Sequence, residues 1–196
     1  MIGDTLSPVR TSIIVEAPQV RAFDSFANRL GCWWPLEYTY GQAAFDTAAI
    51  EPRAGGRWYE RDRHGRETGW GEVRAFEPPS RLVLAFAICP QRAPGPPEKA
   101  SELEIRFTSE GSRTRVELEH RGFERHCEGA ALLRDAMASS QGWPLILAAY
   151  ARALRPLTVV GARPAGGGEP LGQAPSGDRT TGPVPAGADH DRHGRL

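Results

Sequence analysis

Lysine is nearly absent. Lys99 is the only one among 196 residues, so arginine carries almost all of the positive charge. Neither sign is in excess, because Lys+Arg and Asp+Glu both total 24. Nucleic-acid binders usually show a clustered basic surplus, and this balance argues against that class. Cysteine is scarce as well: Cys32, Cys89 and Cys127 make an odd three, with no C-x-x-C pair. A secreted disulfide scaffold needs dense, even cysteines, so a reducing cytoplasm is the expected setting. Long apolar runs are missing. The longest, Leu82 to Cys89, has strand length, and nothing approaches the roughly eighteen residues of a membrane span. Met1 to Pro8 lacks a basic stretch followed by an apolar run, so no signal peptide is expected.

Glycine and proline, by contrast, are plentiful at 22 and 17. Many of them crowd the end of the chain, as in Gly166-Gly167-Gly168 and Gly182-Pro183-Val184-Pro185. From Gly161 onward there is no Phe, Trp, Tyr, Ile, Met or Cys. Such a segment buries too little apolar surface to offset the entropy of ordering it. The reading is therefore a folded domain over residues 8–157 and a disordered tail over 158–196.

The domain reads as α+β. Arg10 to Glu16, with Ile13-Ile14-Val15, is an opening strand, and Pro18 suits a helix start. Val20, Phe23, Ala27 and Leu30 follow at helical spacing, with Phe26 beside them, until Gly31. Strand candidates come next at Gln42 to Glu51, Arg57 to Arg61 and Glu67 to Phe76. The last two are joined by a turn at Asp62-Arg63-His64-Gly65. Leu82 to Cys89 is continuously apolar, as in a strand covered on both faces. Leu103, Ile105 and Phe107 alternate with charged residues, as do Val116, Leu118 and His120. A helical pattern then runs from about Glu128 to Leu154, with apolar stripes Leu132, Leu133, Ala136, Met137 and Leu147, Tyr150, Leu154. Gly142-Trp143-Pro144 predicts a kink or a restart within it. Strands in succession with short turns make an antiparallel sheet, and the C-terminal helix is the element long enough to cover it.

Several short motifs in this order resemble a known family. They are Ile13-Ile14-Val15-Glu16-Ala17-Pro18, Trp33-Trp34-Pro35, Glu51-Pro52-Arg53-Ala54-Gly55-Gly56-Arg57-Trp58, Trp70-Gly71-Glu72-Val73, Pro78-Pro79-Ser80-Arg81-Leu82-Val83 and Gly142-Trp143. Together they resemble the START-like (SRPBCC) superfamily, in the branch named after the activator of the ninety-kilodalton heat-shock protein ATPase. The resemblance implies a helix-grip fold of the START-like, Bet v-like kind: a curved antiparallel sheet around a long C-terminal helix, with a cavity between. It also implies a range of roles, since members include lipid and polyketide binders, cyclases and stress proteins. Chaperone activity is not carried over, because the co-chaperone's separate N-terminal domain has no counterpart here.

The candidate ligand-binding residues are Trp33, Trp34, Trp58, Trp70, Phe86, His120 and Trp143. Indoles offer a large apolar face and one N–H donor, which suits a cavity for a flat ligand, although aromatic rings also simply fill cores. Two adjacent indoles bury with difficulty in one core, so one of Trp33 and Trp34 is expected at a cavity mouth. His120 falls on the inner face of its strand. There it could orient a ligand or move a proton, or it could be a core histidine satisfied by a backbone carbonyl. No nucleophile motif is present, so no catalytic residue is assigned. His120, His126 and Cys127 match no usual zinc spacing, so neither metal nor other cofactor is expected. The function expected is binding of a small apolar or aromatic ligand, without nucleic acid or membrane insertion. A cyclase- or hydrolase-like enzyme using the same pocket and a co-chaperone-like module with a protein partner are the alternatives.

Overall fold

The computed structural model describes residues 5–40, 44–91, 93–126 and 128–155. The expected tail and Cys127 lie outside the described residues. Seven strands form one antiparallel sheet in the order β1-β7-β6-β5-β4-β3-β2. They are β1 (Val9–Val15), β2 (Phe45–Ile50), β3 (Arg57–Asp62), β4 (Glu67–Glu77), β5 (Arg81–Phe86), β6 (Ser101–Glu110) and β7 (Arg113–Arg121). Among the described residues there are also three α-helices, α1 (Gln19–Asn28), α2 (Ala130–Ala138) and α3 (Trp143–Leu154). The sheet curls about the C-terminal helix, which is the helix-grip arrangement.

Period-two patterning sets the register. Leu103, Ile105 and Phe107 of β6 stand opposite His120, Leu118 and Val116 of β7. Leu82, Leu84 and Phe86 of β5 stand opposite Ile105, Leu103 and Ser101. All of these inward side chains are buried. On β5 the outward Val83 and Ala85 are buried too, as the continuous apolar run requires. Outward from β6 stands Glu104, whose carboxylate meets Arg81 at 2.6 Å, Arg106 at 2.7 Å and Arg121 at 3.0 Å. Burial alone would raise the pKa of Glu104, but these guanidinium groups outweigh it and hold the carboxyl below its ordinary value.

The helical stretch restarts as Gly142-Trp143-Pro144 implies: α2 and α3 are separate elements, and α3 begins at Trp143 with Pro144 in its first turn. Backbone N–H groups there have no intrahelical acceptor, so proline costs nothing. A Cβ at Gly142 would lie 2.3 Å from the Met137 carbonyl oxygen, so only glycine lets the chain double back here. In α1, Val20 is 68% exposed and Ala22 takes the buried position, because Phe23, Phe26 and Ala27 set the inward face. Leu132 of α2 is 75% exposed, while Leu133 beside it is buried.

The β3–β4 hairpin turns as expected. The Asp62 carboxylate accepts from the backbone of His64 and Arg66, both at 2.9 Å, and Gly65 takes φ +81°. Further along β4 the register shifts: Tyr59 pairs with Gly69 but Trp58 with Gly71, leaving Trp70 as the extra residue of a bulge. Gly71 has φ +155°, and a Cβ there would meet the Ala85 carbonyl oxygen at 1.8 Å. Gly69, two residues away, has open space. Gly71→Ala should therefore cost at least about 3 kcal/mol, from a backbone clash that no rotamer relieves. Gly69→Ala should stay within about 1 kcal/mol of the parent. Urea unfolding of the two variants checks this, and equal stabilities would contradict the bulge geometry.

Candidate functional site

The sheet carries a transverse band of chemistry on its inner face. Trp58 on β3, Trp70 on β4, Phe86 on β5, Ser101 on β6 and His120 on β7 lie side by side. Trp143, the first residue of α3, packs onto the band, its ring centroid 6.2 Å from that of Phe86 and 5.7 Å from that of His120. The rings form a continuous edge-to-face and tilted path: Trp34 to Trp70 at 4.8 Å, Trp70 to Trp58 at 5.4 Å, Trp58 to Phe86 at 5.8 Å and Phe86 to His120 at 5.0 Å. Such pairs add to stability beyond the area they bury.

All five tryptophans are buried, Trp33 and Trp34 included. The expectation that one of this pair sits at a cavity mouth is therefore corrected. The short 3₁₀ turn Leu30–Cys32 leads into Trp33 at φ −135°, and the two rings bury together in tilted contact, centroids 5.7 Å apart, each with further partners of its own. Trp33 lies against Phe26 and Tyr150, at 5.0 and 5.1 Å, and donates its N–H to the Ser25 carbonyl at 2.9 Å. Trp34 turns toward Trp58 and Trp70, and its N–H donates to the Tyr38 carbonyl at 3.4 Å.

His120 is fully buried, and its partners are side chains rather than a backbone carbonyl. Trp143 Nε1 donates to His120 Nδ1 at 3.0 Å. An indole N–H only donates, so Nδ1 bears no proton and the neutral ring carries it on Nε2. That Nε2–H donates to Ser101 Oγ at 2.7 Å. Ser101 Oγ in turn lies 2.8 Å from His126 Nε2 and 3.3 Å from the Phe86 carbonyl oxygen. The chain of bonds ends at His126, whose buried Nδ1 has no partner among the described residues. An unpaired buried polar group costs on the order of 1–3 kcal/mol, and native structures tolerate few. The indole N–H groups of Trp58 and Trp70 are also buried and unpartnered.

Sequence reasoning missed Ser101 and the role of His126. Ser101 was within reach: counting back two residues from Leu103 places it on the same inner face. His126 sits in a 3₁₀ turn, Phe123–His126, where no strand or α-helical period applies. Among the described residues no group of three His, Cys, Asp or Glu side chains could hold a metal ion. No helix among them is long and apolar enough to cross a membrane.

A cleft of about 480 Å³ opens beside the aromatic band. Tyr38 and Tyr40 form one wall, Ile88, Cys89 and Pro90 the floor, and Leu132, Leu133, Ala136 and Met137 of α2 the other wall. Tyr40 links it to the indoles, its ring edge-on to Trp70 at 6.0 Å. The Tyr38 hydroxyl donates to the Gln141 carbonyl and ties the near wall to the α2–α3 connection. The clefts on the outer face are of another kind. One of about 450 Å³ is lined by Arg10, Glu104, Arg106, Glu117, Glu119 and Arg121 among others.

Residues 18–155 match the family model for the activator of Hsp90 ATPase homolog 1-like protein, AHSA1. The chain belongs to this family. Among solved structures, the anthrahydroquino-γ-pyrone synthase Txn09 is 34% identical, over 77% of this chain and 99% of that one, with a TM-score of 0.55. The self-sacrificing resistance protein CalC from Micromonospora echinospora is 30% identical, over 75% and 93%, with a TM-score of 0.56. The Aha1 dimer from Colwellia psychrerythraea, at 14% identity over 76% and 96% with a TM-score of 0.52, shares the fold alone. No curated protein matches the chain. AHSA1 membership and the first two of these neighbours support a ligand-binding fold.

Burial, and secondarily the nearby His126, holds His120 well below the ordinary imidazole range. Burial likewise lowers His126. The unfolded chain takes up these protons near pH 6.5 while the folded chain resists them. Stability is thus full above about pH 6.5 and declines below it, by up to about 1.4 kcal/mol per pH unit for each histidine. Urea unfolding at pH 7.5, 6.0 and 5.0 checks the slope, and His120→Phe should remove about half of it. A flat wild-type profile would contradict neutral buried histidines.

Proposed function

We propose that the protein binds a flat, largely apolar aromatic ligand in the cleft between α2 and Tyr38–Tyr40. The observation that carries this is the cleft itself. Its volume lies within the range of small-molecule sites, its walls are mostly apolar, and an aromatic ring leads from it to the indole band. Leu132, exposed on α2 at its rim, is a large apolar side chain for which the folded chain itself gives no cover. In this reading Trp58, Trp70, Phe86 and Trp143 are the rigid wall behind Tyr40, and Trp33 and Trp34 hold that wall against α1 and α3. Binding then comes mainly from buried apolar area, at about 25 cal/mol per Å² before the cost of association. The 34% identity to a synthase of an anthrahydroquino-γ-pyrone supports a fused-ring ligand.

A second reading, chemistry on such a ligand, draws on the Ser101–His126 contact at 2.8 Å. It places a hydroxyl against an imidazole nitrogen in a dry interior. The co-chaperone-like module rests on the fold alone.

Naphthalene tests the binding reading, followed by thermal shift and titration calorimetry. The wild type should be stabilised, and Met137→Trp, which fills the cleft, should bind at least tenfold more weakly. A wild type that does not respond, or a variant that binds equally well, would overturn the assignment.

A further inference from the structure

The sheet ends on β1, and among the described residues no strand pairs with its outer edge. Which backbone groups lie along that edge follows from the register. The Phe107 N–H bonds to the Ser80 carbonyl, so odd-numbered residues of β6 turn their backbone groups toward β5 and even-numbered ones toward β7. Glu104, Arg106 and Thr108 stand opposite Glu119, Glu117 and Arg115, so β7 directs its odd-numbered residues at β6 and its even-numbered ones at β1. Of these, Leu118 and Val116 stand opposite Thr11 and Ile13. The N–H and C=O groups of Arg10, Ser12 and Ile14 are thereby directed at the open edge. All three residues are exposed, Ile14 at 40%. An open edge is a template for another strand, and natural edges often carry Lys, Pro or a bulge that prevents pairing. β1 contains neither Lys nor Pro and pairs with β7 without a register shift.

We propose that β1 pairs with β1 of a second copy of this chain, antiparallel about a two-fold axis at Ile13, so that two sheets join into one. Charge complementarity selects this register. Arg10 and Glu16 are exposed at opposite ends of the strand, and centring on Ile13 sets each against the other at both ends of the pairing. Centring on Ser12 instead would set Arg10 against the partner's Ile14 and leave both charges without an opposite. Arg10 already reaches Glu119 at 2.8 Å, yet its side chain is 68% exposed, so a second carboxylate has room to join it. In the same register Ser12 faces the partner's Ile14. The two Ile14 side chains become diagonal neighbours, which covers a large apolar group that one copy leaves in water. One strand on each side makes a small interface, so the dissociation constant should be on the order of 10 μM. This inference is independent of the binding reading, because no β1 residue lines the cleft between α2 and Tyr38–Tyr40.

Analytical ultracentrifugation of the full chain over roughly 1–200 μM tests it: the wild type should pass from monomer to dimer across that range. Arg10→Glu sets carboxylate against carboxylate at both ends and should weaken the dimer at least about tenfold. Glu16→Arg should do the same, and the double exchange, which restores opposite charges, should return to within about threefold of the wild type. Ile14→Lys places a charge on the edge and should also weaken the dimer at least about tenfold. These sites are exposed, so each variant should keep the wild-type tryptophan fluorescence. Hydrogen exchange on the wild type gives a readout independent of any variant. The Ser12 and Ile14 amides should be protected at high protein concentration and exchange freely at low, while those of Thr11 and Ile13, bonded to β7, stay protected at both. A monomer throughout, or a dimer indifferent to Arg10→Glu and Ile14→Lys, would overturn the proposal. So would a double exchange that fails to restore pairing, or exchange at Ser12 and Ile14 that ignores concentration.

Discussion

One buried hydrogen bond, from the Trp143 indole to His120 Nδ1, governs how the last helix meets the sheet. Trp143 opens α3 and His120 nears the end of β7, so the bond ties an α-helical terminus to a strand at a single point. In a dry interior a bond of this kind is strong, and leaving either partner unpaired is costly. Its second effect is informational. An indole can only donate, so one contact sets the proton of His120, then the acceptor role of Ser101, and leaves the remaining freedom to His126. The polar chain is thus ordered from the helix outward.

The cleft follows from the same junction. If the C-terminal helix ran unbroken from Glu128 to Leu154, α2 would continue the line of α3. The break over residues 139–142 frees α2 to take its own direction and face Tyr38 and Tyr40. The contact between the Tyr38 hydroxyl and the Gln141 carbonyl fixes that break to the opposite wall. On the sheet side, the bulge at Trp70 and the close approach of Gly71 to Ala85 aim two indoles inward from neighbouring strands. Backbone devices, more than side-chain choice, therefore decide where the aromatic wall stands.

Much of the fold could be read from periodicity. Alternation in β6 and β7, the apolar run of β5, the Asp62–Gly65 turn and the restart near Pro144 are local signals, and each stands as its residues imply. The family motifs extended this to the helix-grip arrangement. The site was legible only in part. His120 announced itself as an imidazole on an apolar face, but its partners come from β6, a 3₁₀ turn and α3, and no spacing rule links positions 101, 120, 126 and 143. The adjacent Trp33 and Trp34 misled for a related reason, since a one-dimensional pattern has no room for a turn that buries both neighbours against each other and against different partners. Val20 and Leu132 show the reverse error: an apolar residue in a helical pattern is not thereby inside.

The most direct test of this account is the protonation pattern of the two histidines, read from imidazole ¹⁵N shifts and long-range ¹⁵N–¹H couplings at pH 7. The account predicts that His120 is neutral with its proton on Nε2 and a hydrogen-bonded, proton-free Nδ1, and that His126 is neutral. A charged His120, or one protonated on Nδ1, would mean that Trp143 does not donate to it and would contradict the polar chain at its origin.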